Sequence, residues 1–253
     1  MGKRIEITTA DGTAEAYLTR PDDRPRPGVL FYVDAIGLRP RTEAMADRIA
    51  SWGYVVLVPH VFYRDGSAAD LAPKADLRQP EARAAFFADG VMDRVNALTP
   101  DRSLPDAEAW LDELLRHATG PVGVTGYCMG ARLAVRTAAL RPDLVAAVGG
   151  FHGGGLVTDA PDSPHRVVDG ARAEFLFGHA DQDASMPPED IGTLAAALDE
   201  AGVVHRESVY PGARHGYSMA DSSSYDEAGA ERHFLELREL LDRTIGAAVQ
   251  TGA

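Results

Sequence analysis

Short apolar runs alternating with segments of helical period constrain this chain more than any other feature. The runs at 28–33, 54–59, 121–125, 144–149 and 173–177 have strand length and are bounded by Gly, Pro or polar residues. A further strand is expected at 205–210. Met45, Ile49 and Trp52 recur on one helical face in 42–52, and Leu111, Leu115 and Ala118 mark a helix from about 106. Helices are also expected at 131–140 and 191–201, and Ala230, Phe234, Leu237 and Leu241 stripe a last one. Strands apolar throughout are buried on both faces, so the expected class is α/β, a mostly parallel central sheet flanked by helices on both faces. The segments 5–9 and 14–19 flank Asp11-Gly12 and read as a hairpin.

At 253 residues the chain suits one α/β domain. That domain is expected over 1–245, with a flexible tail of small residues at 246–253. The 62–98 stretch stands apart. Its first part, 62–80, is polar and lacks a clear period, and one helix is expected over 81–98. Together they are a candidate cap over a site.

Acidic residues outnumber Lys and Arg by 38 to 25, a formal charge of −13, which disfavours nucleic-acid and anionic membrane surfaces as partners. No apolar run approaches the length of a membrane span. The first twenty residues do not read as a secretory signal, and Met1-Gly2 lacks the Ser or Thr that myristoylation needs at the sixth position, where Glu6 stands. A cytoplasmic protein is expected, monomeric by default, with a homodimer as the alternative. One cysteine, Cys128, excludes an intrachain disulfide and a cysteine-rich metal site, and neither a metal nor a cofactor is expected.

A free cysteine is ordinarily a buried structural thiol. The setting of Cys128 argues otherwise. The apolar run 121–125 leads into Gly126-Tyr127-Cys128-Met129-Gly130, and a helix follows at once. This is the strand–turn–helix pattern of a nucleophile elbow, with Cys in place of the usual Ser. A tight turn needs flanking residues without bulk, which Gly126 and Gly130 supply. The helix N-terminus then favours a thiolate and offers backbone N–H groups to an oxyanion. A thiol nucleophile needs a base and an orienting acid, here in the chain order nucleophile, acid, histidine. The strand at 173–177 opens a loop with two candidate acids, Asp181 and Asp183, and His215 follows the strand at 205–210.

With these residues in place, the chain resembles the dienelactone hydrolase family of α/β-hydrolases over nearly its whole length. The resemblance rests on Asp34-Ala35-Ile36-Gly37, on 54–63 running into Arg64, on GYCMG at 126–130, on the acid loop and on His215-Gly216-Tyr217. It implies a cofactor-independent hydrolase of a small ester or lactone that works through an acyl-enzyme. Cys128 would be its nucleophile, His215 its base and Asp183 its acid. Asp183 is preferred because Pro187 follows it by four positions, as in the family; Asp181 becomes a loop carboxylate. The backbone N–H groups of Ala35 and Met129 would form the oxyanion hole. Asp34 would lie near the resting cysteine, where the family usually has the longer Glu, and help control its protonation. Family members that act on carboxylate-bearing lactones use an arginine soon after the histidine. The stretch after His215 has none, so Arg64 and Arg78 become the candidate carboxylate partners. His152, before a glycine run, and Tyr217 are further pocket candidates. These departures keep a second reading open, a hydrolase-like binding or signalling protein with little turnover. A thiol redox protein is disfavoured by the missing Cys-x-x-Cys.

Overall fold

The computed structural model describes residues 2–246; most of the expected tail lies outside that range. The strands are β1 (Lys3–Thr9), β2 (Gly12–Thr19), β3 (Pro27–Tyr32), β4 (Val55–Pro59), β5 (Thr119–Tyr127), β6 (Val145–Phe151), β7 (Glu174–Ala180) and β8 (His205–Tyr210). They form one sheet in the order β1-β2-β4-β3-β5-β6-β7-β8. The β1–β2 hairpin and the β2–β4 pair are antiparallel, and the pairings from β4 through β8 are parallel. Strands β3 and β4 are buried at every residue, as their unbroken apolar runs require.

Helices α1 (Pro40–Ala50) and α8 (Glu227–Thr244) cover one face of the sheet, where Trp52 packs edge-on to Phe234 and Arg48 pairs with Glu231. Helices α5 (Pro100–Leu115) and α6 (Met129–Leu140) cover the other. Helix α7 (Pro188–Glu200) packs against two short 3-10 turns before β7. Two glycines mark how closely these layers approach. A Cβ on Gly28 would lie 2.9 Å from Leu114 of α5, and one on Gly123 would lie 2.5 Å from Leu241 of α8.

The 62–98 stretch differs from its sequence expectation. It contains a short α2 (Ala68–Leu71), and the single helix expected over 81–98 is two, α3 (Pro80–Ala88) and α4 (Val91–Ala97). Gly90 separates them at φ 69°, the left-handed conformation that stops a helix and that glycine adopts without steric cost. Helix α5 also begins earlier than expected. Thr99 precedes Pro100 at its first position, where a missing N–H costs nothing.

Candidate active site

The site lies at the C-terminal end of the parallel strands. Strand β5 sits between β3 and β6 and delivers Cys128 to the top of the sheet. Cys128 has φ 55° and ψ −119°, a strained conformation for a residue with a side chain. The flanking glycines are what permit it. A Cβ on Gly126 would stand 2.1 Å from the carbonyl oxygen of Gly130, and one on Gly130 would stand 2.6 Å from that of Val33. Both obstacles are backbone and cannot rotate away. Helix α6 starts at Met129, so the N–H of Met129 precedes the intrahelical ladder.

Asp183 follows β7 and His215 follows β8. His215 Nδ1 donates to Asp183 Oδ2 at 2.6 Å. The other carboxylate oxygen accepts from the Ser185 hydroxyl at 2.7 Å and the Ser185 N–H at 2.9 Å. Burial opposes ionisation of Asp183, but the His215 and Ser185 donors outweigh it and hold its carboxyl below the usual range. Asp181 is placed differently: its Oδ2 accepts the Gly212 N–H at 2.9 Å and shapes the loop before His215. For His215, burial pulls the imidazole down. The nearby Cys128 side chain and the bonded Asp183 carboxylate push it up more strongly, to about 10.

A cavity of about 480 Å³ opens on Cys128, Met129, Ala35 and His215. Its opposite wall comes from α3 and α4, through Arg83, Phe87, Met92 and Val95. A smaller recess beneath it touches Asp34, His152, Met219 and Ser222. Asp34 is nearly buried and is gripped by Arg39, whose Nη1 reaches its Oδ1 at 2.6 Å and whose Nη2 reaches its Oδ2 at 3.1 Å.

The remaining sequence candidates fall in different places. His152 is fully buried with φ 38°; its Nε2 shares a hydrogen bond with Ser218 Oγ at 2.8 Å, and its ring lies edge-on to His215 at 5.5 Å. Burial and the neighbouring His215 and His233 push its pKa well below the ordinary value, so it stands as a neutral ring. Tyr217 does not line the cavity. The turn after His215 folds back into the core, and its hydroxyl donates to the Gly178 carbonyl at 3.0 Å. Nor does Arg64 reach the cavity, because Asp106 takes both its terminal nitrogens, at 2.8 and 3.0 Å, and Asp11 takes its Nε. Arg78 is exposed and pairs with Asp76.

The arginines that do line the cavity are Arg83 and Arg132, and the Nε of each is buried without a hydrogen-bond partner among the described residues. Burial holds the Arg132 guanidinium below its ordinary value, offset in part by the neighbouring Cys128 side chain. The signal for Arg132 was present in the sequence: it stands four residues after Cys128 on the helix that Cys128 opens, one turn along the same face. Arg83 had no such signal, since its approach depends on how α3 folds over the sheet. Among the described residues no group of three or more His, Cys, Asp or Glu is arranged to hold a metal ion, and no helix is long and apolar enough to cross a membrane.

A Yersinia pestis protein provisionally named a carboxymethylenebutenolidase is 29% identical over 228 residues, which cover 85% of this chain and 78% of its own. A mouse carboxymethylenebutenolidase homologue is 26% identical over 250 residues, 97% of this chain and 92% of its own. The crystal structure of a provisionally named dienelactone hydrolase from Klebsiella pneumoniae shares the fold, with a TM-score of 0.79 at 22% identity over 96% of this chain and 98% of that one. The model of the dienelactone hydrolase family matches residues 14–245. Covering nearly the whole described chain, that match makes this protein a member of the dienelactone hydrolase family.

Proposed function

We propose that this hydrolase cleaves a small carboxylic ester or lactone through a thioester on Cys128. The observation that carries the reading is the junction of a strained elbow cysteine with a histidine held by Asp183 at 2.6 Å. In this reading the Cys128 thiolate attacks the acyl carbon, and the Ala35 and Met129 amides stabilise the tetrahedral oxyanion. The intermediate collapses as the C–O bond breaks, and the imidazolium of His215 gives its proton to the leaving alkoxide. His215 then takes a proton from water, the hydroxide attacks the thioester carbonyl, and the thiolate departs with the acid product released. Asp183 keeps the Nδ1 proton in place, so that Nε2 serves as acid and then base. A cytoplasmic location belongs to this reading, because a lone thiol nucleophile suits a reducing compartment.

The cavity limits the substrate. Phe87, Met92, Val95 and Met129 present carbon, while Arg83 and Arg132 present positive charge. A small acyl group with an apolar face and a carboxylate at one end matches both features. In this reading α3 and α4 act as a cap.

Turnover of 4-nitrophenyl acetate by the wild type and by Cys128→Ala tests the mechanism. A burst and steady turnover in the wild type, with neither in the variant, are expected. Equal rates in the two proteins would sink the cysteine mechanism, and tight ester binding without turnover would favour a binding protein. A panel of matched lactones with and without a carboxylate tests the substrate class, and Arg132→Ala should weaken the preference for the charged member.

A further inference from the structure

Arg39 is used more completely than any other arginine near the site. Its side chain is only 4% exposed, and burying a cation is costly unless it is paired and hydrogen-bonded. Here its nitrogens make five bonds. Nη1 donates to Asp34 Oδ1 at 2.6 Å and to the Gly37 carbonyl at 2.9 Å, and Nη2 donates to Asp34 Oδ2 at 3.1 Å and to Asp221 Oδ1 at 3.2 Å. Nε donates to Asp221 Oδ2 at 2.6 Å. The Arg39 backbone is itself fixed at the start of α1, where its N–H and carbonyl both bond the Thr42 hydroxyl.

The partners of Arg39 belong to two segments that meet at Cys128. Asp34 and Gly37 bound a tight turn, closed by the Gly37 N–H on the Asp34 carbonyl at 3.0 Å, and Asp34 Oδ1 also accepts the Ile36 N–H at 3.1 Å. Ala35 lies inside that turn. Asp221 lies six residues after His215, in a run of consecutive turns from Arg214 to Ser222. Asp34, Ala35 and His215 face one recess with Cys128.

We propose that Arg39 is a positioning residue, which clamps the oxyanion turn to the histidine loop through Asp34 and Asp221. Asp34 serves that clamp rather than exchanging a proton with Cys128. The inference rests on the thioester reading above, because only there does the Ala35 N–H meet developing charge. A planar guanidinium bridges two carboxylates in fixed geometry; an ammonium cannot.

The test compares Arg39→Lys, Asp34→Asn and Asp221→Asn, each checked for folding by circular dichroism and thermal melting. Steady-state turnover of 4-nitrophenyl acetate is measured beside the pH profile of Cys128 alkylation by iodoacetamide. For Arg39→Lys and Asp34→Asn, kcat should fall about 10- to 100-fold, the scale of a displaced oxyanion donor. KM should stay within about threefold, and the alkylation midpoint should not move. Asp221→Asn, at the half-exposed end of the clamp, should give a smaller loss of kcat and keeps the test open if Arg39→Lys does not fold. Wild-type kcat in Arg39→Lys, or in Asp221→Asn when only that variant folds, would overturn the clamp. So would an alkylation midpoint shifted by about one pH unit in Asp34→Asn with kcat at its own optimum unchanged, since that is proton control. Failure of the thioester reading shows separately, as turnover that survives Cys128→Ala.

Discussion

At the scale of single residues, steric exclusion and hydrogen-bond geometry do most of the work. Gly126→Ala would put a methyl group against the Gly130 carbonyl, and neither backbone can yield. The expected cost is about 3 kcal/mol or more of folding stability, seen as a lower denaturant midpoint. Gly192 is the control. It lies in α7 with open space around its Cα, so Gly192→Ala should stabilise by roughly 0.5–1 kcal/mol. The two acids of the β7 loop separate in the same way. Asp183 touches His215 and Asp181 touches only the loop backbone, so Asp183→Asn should lower kcat by roughly 10⁴-fold. Asp181→Asn should stay within tenfold, and comparable losses in both would remove the distinction. Asp183→Asn should also lower the His215 titration from about 10, because it deletes a negative charge and an acceptor that favour the imidazolium. NMR of the imidazole reads that shift.

At the scale of elements, α8 carries a buried histidine whose protonation opposes folding. His233 lies among Tyr127, Phe151 and Phe234, and burial lowers its pKa from the ordinary 6.5 to about 3. Between these values the unfolded chain binds the proton and the folded one does not. The contribution of neutral His233 to stability is therefore complete above pH 6.5 and declines as pH falls toward 3. The thermal midpoint should drop across that window, less steeply in His233→Gln than in the wild type; parallel curves would remove His233 from the effect. Helices α3 and α4 show the complementary case. Helix α3 buries no residue fully, α4 anchors itself through Val91 and Val95, and together they wall the cavity with Phe87, Met92 and Val95.

The whole molecule brings together loops from separate parts of the chain. The parallel sheet ends β3, β5, β6, β7 and β8 along one edge, and the turns after them supply Asp34, Cys128, His152, Asp183 and His215. The cap reading belongs to this scale. If α3 sets the substrate's apolar contact, Phe87→Ala should raise KM for an aryl ester roughly tenfold, the size of one lost apolar contact, with kcat little changed. An unchanged KM would assign α3 to the surface alone. Against a formal charge of −13 overall, Arg83 and Arg132 put two positive charges on the cavity wall.

Much of this is legible in the sequence. Strand runs such as 28–33 and 54–59 declare themselves because burial on both faces leaves no place for polar residues. The elbow declares itself because a turn that tight leaves no room for a side chain two positions before or after Cys128, where Gly126 and Gly130 stand. The break at Gly90 is not legible in the sequence, because one glycine in a helical pattern is ambiguous until its φ is known. Arg64 and Arg83 show the deeper limit. Both belong to the 62–98 stretch, yet one is consumed by Asp106 and Asp11 while the other reaches the cavity. Asp34 likewise reads as a neighbour of the cysteine, and the structure shows its grip by Arg39 and, through Arg39, its link to Asp221. By itself the sequence determined the layers and the chemistry of the elbow, which depend on local pattern and sterics. Which charges meet was decided only by the tertiary structure, because ion pairing depends on distances between segments that chain order does not encode.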